Sequence, residues 1–175
     1  LIKDLDEISK LESGEMPINY TRFKITDLVK EVFETMELKA GQHQIKLVFK
    51  QKYDEPFMVN ADRDKISQVL INLIDNSFKY GKEGGTTSVS LFNLNDQVLV
   101  EVTDDGIGIA EHYLPRLFER FFRTDHSRSR QIGGSGLGLA IVKHIIEAHQ
   151  QTINVRSTVG VGTTFAFTLQ KSNER

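Results

Sequence analysis

The sequence predicts an α+β two-layer sandwich. Segments with a 3.6-residue apolar period alternate with paired β-branched runs, in the order α-β-β-α-β-β-α-β-β. Strands that come in pairs between helices make hairpins, not the single strands of a doubly wound sheet. The length of 175 residues, 39% of them hydrophobic, supports one compact core with a short extra element.

Residues 1–12 place Leu1, Leu5, Ile8 and Leu11 at helical spacing among Lys, Asp and Glu. That seam is narrow and suits packing against another helix. Ser13-Gly14 stops the helix and Pro17 confirms the break. The chain starts at Leu1 and mid-helix by pattern, so it is expected to be a cut piece of something longer, its first helix the remnant of a bundle. A surface helix of the same domain is the plainer alternative.

Thr26-Asp27 reads as the N-cap region of a second helix with an apolar face of Leu28, Val29, Val32, Phe33 and Met36, ended by Gly41. Residues 45–49 and 57–59 read as strands. A third helix spans Asp62 to Tyr80, burying Ile66, Val69, Leu70, Leu73, Ile74 and Phe78. Strands at about 86–93 and 97–103 form a hairpin through Leu94-Asn95-Asp96, and a Gly-rich turn follows at 104–108. A short helix fits 111–119, and 123–135 reads as a mobile loop with little to bury. Gly136 opens a helix to about His149, and 152–157 and 164–169 are final strands around Gly160-Val161-Gly162.

Charge and composition exclude several classes. Twenty-two Lys+Arg against 24 Asp+Glu leave a net charge of −2, which is no nucleic-acid footprint. The absence of cysteine excludes disulfides, thiolate nucleophiles and Cys-ligated zinc. No apolar run approaches the ~20 residues of a membrane span.

Four clusters carry chemistry. On the third helix Asn72, Asn76 and Lys79 share one stripe, about 100° from the centre of the apolar face, where a cleft wall would lie. Two amides and a cation suit a hydrated metal and a phosphate, although solvent-facing Asn residues are the plainer reading of that stripe alone. Asp104-Asp105-Gly106-Ile107-Gly108-Ile109 follows an apolar strand directly. A carboxylate there can accept a hydrogen bond from an exocyclic amine, and the glycines allow close backbone approach; a β-turn is the alternative. Gly133 to Val142 is a glycine-rich loop feeding a helix, a phosphate cradle by its free N–H groups, yet it matches neither the P-loop nor the dinucleotide fingerprint. In Leu117–Arg123, Phe118, Phe121 and Phe122 are expected to anchor the loop base in the core. Arg116, Arg120, Arg123, Arg128 and Arg130 would then gather around the loop, with Arg123 reaching a terminal phosphate.

In this order the clusters resemble the catalytic and ATP-binding region of sensor histidine kinases, in the GHKL ATPase superfamily. Gln68–Tyr80 resembles the N box, Asp104–Ile109 the G1 box, Leu117–Arg123 the F box, Gly134–Leu139 the G2 box and Gly160–Phe165 the last Gly-containing motif. The resemblance implies a Bergerat-type ATP-binding fold, a mixed, mostly antiparallel sheet packed on three helices. It divides the chain into the end of the second dimerisation and phosphoacceptor helix (1–15), the catalytic ATP-binding domain (16–171) and a tail (172–175).

By the same resemblance Asn76 would ligate Mg²⁺, Asn72 would line the same face, and Lys79 and Tyr80 would contact phosphate or ribose. Asp104 would bind the adenine amino group, in a pocket shaped by Gly106, Gly108 and Ile109, with Thr163 beside it. Arg123 would approach the γ-phosphate, and Gly134, Gly136, Leu137, Gly138 and Leu139 would hold the triphosphate under an ATP lid of residues 124–133. Asn76 and Arg123 would be the catalytic pair. Two departures are visible: Asp105 stands where Asn is common, and Ala148-His149-Gln150-Gln151 replaces an H-G-G turn without touching a ligand position.

The implied cofactors are ATP and Mg²⁺, and the implied reaction is γ-phosphoryl transfer to histidine. Asn72 stands where related hydrolases carry a water-activating Glu, and an amide is no base, which favours transfer. None of His43, His112, His126, His144 and His149 lies in an H-E-x-R-T-P acceptor context, so the acceptor is expected on an absent dimerisation domain. The implied partners are that domain and a response regulator receiver domain. A homodimer is expected for the full-length protein, a monomer for this fragment, and a cytoplasmic position on a membrane-anchored sensor. The competing readings are a GHKL hydrolase or sigma-factor-regulating serine kinase, and a non-enzymatic, degenerate nucleotide-binding module.

Overall fold

The computed structural model describes residues 2–13, 17–51, 57–124 and 136–172. The elements are α1 (Ile2–Ser13), β1 (Thr21–Lys24), α2 (Ile25–Gln42), β2 (Lys46–Gln51), β3 (Met58–Ala61), α3 (Arg63–Tyr80), β4 (Thr86–Leu94), β5 (Gln97–Asp104), a 3₁₀ helix (Glu111–Arg116), α4 (Gly138–Ala148), β6 (Ile153–Thr158) and β7 (Gly162–Lys171).

The seven strands form one open sheet in the order β1-β3-β7-β5-β4-β2, with β6 sharing the free half of the β7 edge. All pairs are antiparallel except β2–β4. Period-two alternation decides which side is covered. Val98, Val100 and Val102 of β5 and Phe165, Phe167 and Leu169 of β7 lie in one core with Leu70, Leu73 and Ile74 of α3 and Ile141, Ile145 and Ile146 of α4. Helices α2, α3 and α4 make the second layer, and α1 lies against α4. The expected two-layer, mostly antiparallel architecture is therefore present.

Local differences from the sequence reading have local causes. β1 was not foreseen: it is four residues long with only Phe23 buried, too short for an alternation signal, and pairing with β3 sustains it. Thr26-Asp27 is not the N-cap of α2. The preceding Lys24 holds that position without a side-chain bond, and Ile25 starts the helix by donating its N–H to the Phe57 carbonyl at 3.0 Å. α2 also runs past Gly41 to Gln42. The short helix at 111–119 is a 3₁₀ turn ending at Arg116, because Pro115 supplies no N–H. α4 begins at Gly138, two residues after Gly136, whose φ of +77° is not helical.

The long α3 starts as read. Asp62 caps it, its carboxylate accepting the Lys65 N–H at 3.2 Å.

Candidate functional site

The site is assembled on the helix-facing side of the sheet, at the ends of β5 and β7. Asp104 closes β5 and is 5% exposed. Its register neighbours are Thr87 on β4 and Thr163 on β7, and Thr163 is in turn paired with Ser157 on β6. Thr87, Asp104, Thr163 and Ser157 thus form a polar row across four adjacent strands. Asp104 Oδ1 accepts the Gly106 N–H at 2.9 Å. Burial pushes the Asp104 carboxyl up to about 6, against the opposing pull of backbone N–H groups from Gly106 and Thr163.

The turn after Asp104 is fixed by backbone. The Ile107 N–H donates to the Tyr80 carbonyl at 3.1 Å, and the Ile107 carbonyl accepts the Gly160 N–H at 2.8 Å. A Cβ on Gly106 would lie 2.0 Å from Tyr80 O, and one on Gly108, whose φ is +74°, would lie 2.2 Å from Thr158 O. These two glycines let the turn wedge between the end of α3 and the β6–β7 hairpin. Ile109 is buried and donates its N–H to Ser157 Oγ at 2.7 Å. Asp105, grouped with Asp104 on sequence, does other work: its Oδ1 accepts the Thr86 N–H at 2.9 Å and ties down the start of β4.

Asn72, Asn76, Lys79 and Tyr80 are all half-buried on α3, as an edge stripe should be. The structure brings this stripe to the start of α4: Asn72 Nδ2 approaches the Gly138 carbonyl at 3.4 Å, a long contact. Lys79 is held by Asp75 on its own helix, Nζ to Oδ2 3.4 Å, and Asp75 also pairs with Lys39 of α2. The N-cap residue of α4, Leu137, has no side-chain oxygen to cap the helix, and the positive end of the helix dipole lies at this start. Leu137 is fully buried at that start and Leu139 half-buried. Gly136 packs its backbone on Phe121, donating no side chain where a Cβ would meet Phe121 Cα at 2.8 Å, and its carbonyl accepts the Phe121 N–H at 2.9 Å.

The aromatic cluster differs from expectation. Phe118 packs edge-on to Phe165 in the core, and Phe122 is half-buried, but Phe121 is 50% exposed with a φ of 62°. Its backbone is bent outward to meet Gly136. Arg116 is engaged locally: its guanidinium lies 4.5 Å from the Phe122 ring centre and pairs with Glu119 at 3.1 Å. Arg123 is half-buried and Thr124 buried. Gly134, Arg128, Arg130 and the expected lid from 125 onward lie outside the described residues.

Sequence reasoning missed Ser157, Ser77 and Asp75. Strand register across the β6–β7 hairpin would have found the first, and i,i+4 spacing from Lys79 the last.

The profile of the family described as "Histidine kinase-, DNA gyrase B-, and HSP90-like ATPase" matches residues 61–173, from the last residue of β3 to just past the end of β7. The chain belongs to this family. Among curated relatives, sensor histidine kinase WalK of Bacillus subtilis is 36% identical over 177 residues, covering 100% of this chain and 29% of WalK. Sensor-like histidine kinase SenX3 of Mycobacterium tuberculosis is 37% identical, covering 97% of this chain and 41% of SenX3. The chain therefore spans about a third of the length of such relatives. Among solved structures, the catalytic domain of histidine kinase ThkA superposes with a TM-score of 0.76 at 31% identity, over 87% of this chain and 96% of that one. Full-length ShkA, solved with AMPPNP, gives 0.86 at 25% identity, over 98% of this chain and 35% of that one. The ATPase family's match encloses all four polar positions of the row around Asp104.

Proposed function

We propose that this chain is the ATP-binding catalytic domain of a sensor histidine kinase, which binds Mg·ATP and transfers the γ-phosphoryl to a histidine on a dimerisation domain. The observation that carries the reading is Asp104. A carboxylate this deeply buried, accepting backbone N–H groups and set at a strand end inside a family of ATPases, fits an exocyclic amine as its ligand.

Each residue has a role by its chemistry. Asp104 accepts from adenine N6, with Gly106, Gly108, Ile109 and Thr163 around the base. The backbone N–H groups from Gly136 to Leu139, with Gly134, hold phosphate oxygens. Lys79 exchanges Asp75 for a phosphate, Tyr80 lines the ribose side, and Arg123 opposes charge on the γ-phosphoryl.

The residues present fit Mg²⁺. Asn76 offers a hard amide oxygen on the half-buried stripe. Among the described residues no cluster of three His, Cys, Asp or Glu is arranged to hold a metal, which suits an ion carried by few protein ligands, water and the nucleotide. When bound, the ion neutralises charge on the phosphates. Asn72 orients and cannot abstract a proton, which favours phosphoryl transfer over hydrolysis.

In this reading α1 is the end of the second dimerisation helix, 16–171 is the catalytic domain, and 172–175 is a tail. The partners are the dimerisation domain of the full-length homodimer and a response regulator receiver domain; ThkA has been solved with the response regulator protein TrrA. No helix among the described residues is long and apolar enough to cross a membrane, and the reading places this domain on the cytoplasmic side of a membrane-anchored sensor.

Labelled ATP tests the proposal. The chain alone should bind Mg·ATP and take no stable label; a second protein supplying the histidine-bearing dimerisation helices should become labelled on histidine. Stable label on the chain itself, or no nucleotide binding, would overturn it.

A further inference from the structure

The hydrogen bonds along the polar row have a direction, and proton counting supplies it. Ser157 Oγ has one proton and two lone pairs. It accepts the Ile109 N–H at 2.7 Å. It donates to the Gly162 carbonyl at 2.9 Å. Its third contact, Thr163 Oγ1 at 2.7 Å, must then be a donation from threonine to serine. The same count applies on the other flank of Asp104. Ser77 Oγ donates to the Ile74 carbonyl at 2.5 Å, so its 2.8 Å contact with Thr87 Oγ1 takes the threonine's proton.

Both threonines that neighbour Asp104 in register therefore have their hydroxyl protons drawn away from it. Register neighbours have Cβ atoms about 5 Å apart, near enough for a free Thr163 hydroxyl to turn onto the carboxylate. Ser157 prevents that. The end of the row is left as an acceptor-only surface: the Asp104 carboxylate and the Thr163 oxygen, with no side-chain O–H to offer a ligand.

We propose that Ser157 is a specificity-determining positioning residue, which orients the Thr163 hydroxyl so that the site takes a base edge presenting an amine donor and rejects one presenting a carbonyl. This rests on the reading of the site as an ATP site, and it assigns the discrimination of adenine from guanine to a residue that does not touch the nucleotide. Adenine presents N6–H₂ where guanine presents O6. An acceptor row bonds the first and faces the second with unpaired lone pairs, a mismatch that buried polar sites punish strongly. The high Asp104 carboxyl fits the arrangement, since no hydroxyl donor stabilises its charged form.

The test is the ratio of ATP to GTP affinity by titration calorimetry in wild type, Ser157→Ala, Ser157→Thr, Thr163→Val and the Ser157→Ala/Thr163→Val double variant. Ser157→Ala should narrow the preference for ATP at least tenfold, because the freed Thr163 proton can serve O6. It should also move the loss of ATP binding on acidification to lower pH. Ser157→Thr should restore both. In the Thr163→Val background Ser157→Ala should leave the ratio unchanged, there being no proton to redirect. Ser157→Cys keeps the volume but accepts poorly, and shifts the ratio in the same direction if the alanine variant does not fold. An unchanged ratio in Ser157→Ala or Ser157→Cys, with both affinities falling together, would reduce Ser157 to a structural part and overturn the proposal. Wild type that binds neither nucleotide would overturn the ATP reading itself.

Discussion

His149 Nε2 accepts the backbone N–H of Asp62 at 3.0 Å, while its Nδ1–H donates to the Ile145 carbonyl at 2.8 Å. The imidazole is 4% exposed and is held neutral in one tautomer. It joins the last turn of α4 to the cap of α3, the two helices that also meet where Asn72, midway along α3, approaches Gly138 at the start of α4. The chain entering the sheet is tied to the same spot: the Asn19 N–H donates to Asp62 Oδ2 at 3.0 Å, and the Tyr20 ring stands edge-on to His149 at 5.5 Å.

His149→Ala should therefore lower stability by about 1–3 kcal/mol, the cost of stranding a buried N–H, with a lower midpoint in urea unfolding. Burial pushes the imidazole below its ordinary 6.5, against the Ile145 carbonyl and the Asp62 charge. The folded state binds fewer protons here than the unfolded one. This contribution is thus complete above pH 6.5 and is lost as pH falls through the lower folded value. The variant should lose that part of the acid dependence.

Asp104 works with the opposite sign. Its folded carboxyl is raised from 3.8 to about 6, so burial favours the neutral form; that contribution is full below 3.8 and is lost as pH rises through about 6, above which the carboxylate is ionised. Asp104→Asn should stabilise the nucleotide-free chain at pH 7.5 by an amount on the order of 2–3 kcal/mol, seen as a higher melting temperature, while ATP affinity drops at least tenfold in calorimetry. In wild type, ATP affinity should weaken as pH falls through about 6.

Asn76→Ala should leave the fold intact, since Ala is a better helix former at a half-buried position. It should abolish the gain in ATP affinity produced by Mg²⁺ while keeping the affinity measured in EDTA. Equal Mg²⁺ enhancement in variant and wild type would remove Asn76 from the metal.

Two glycines of the candidate site should behave differently on substitution. Gly106→Ala would put Cβ 2.0 Å from Tyr80 O, so the turn must shift and both stability and nucleotide binding should collapse. Gly138→Ala meets nothing within 4 Å. Its N–H stays in place, and the variant should fold, gain up to about 1 kcal/mol, and still bind ATP. Thermal melts with and without ATP distinguish the two.

Sequence alone carried the two-layer class, α3 with its Asp62 start, the β4–β5 hairpin and the stripe of Asn72, Asn76 and Lys79. Those are local: helical period, strand alternation and cap chemistry lie within a few residues of one another. Phe121 escaped because an apolar side chain in an apolar run reads as core, whereas its exposure follows from a backbone bend imposed by Gly136, fifteen positions on. Asp105 was grouped with Asp104, and its partner Thr86, nineteen positions back, was invisible without coordinates; the partner of Lys79, Asp75, stands four positions before it and was within reach of spacing alone.

What the sequence determined by itself was the set of chemical groups and the elements that bear them, because periodicity and spacing are written along the chain. What only the tertiary structure decided was direction. Strand register set Thr87, Asp104, Thr163 and Ser157 in one row, and the proton count along it turned two hydroxyls away from the carboxylate. Hydrogen-bond polarity depends on every neighbour of a hydroxyl at once, and those neighbours come from five separate segments.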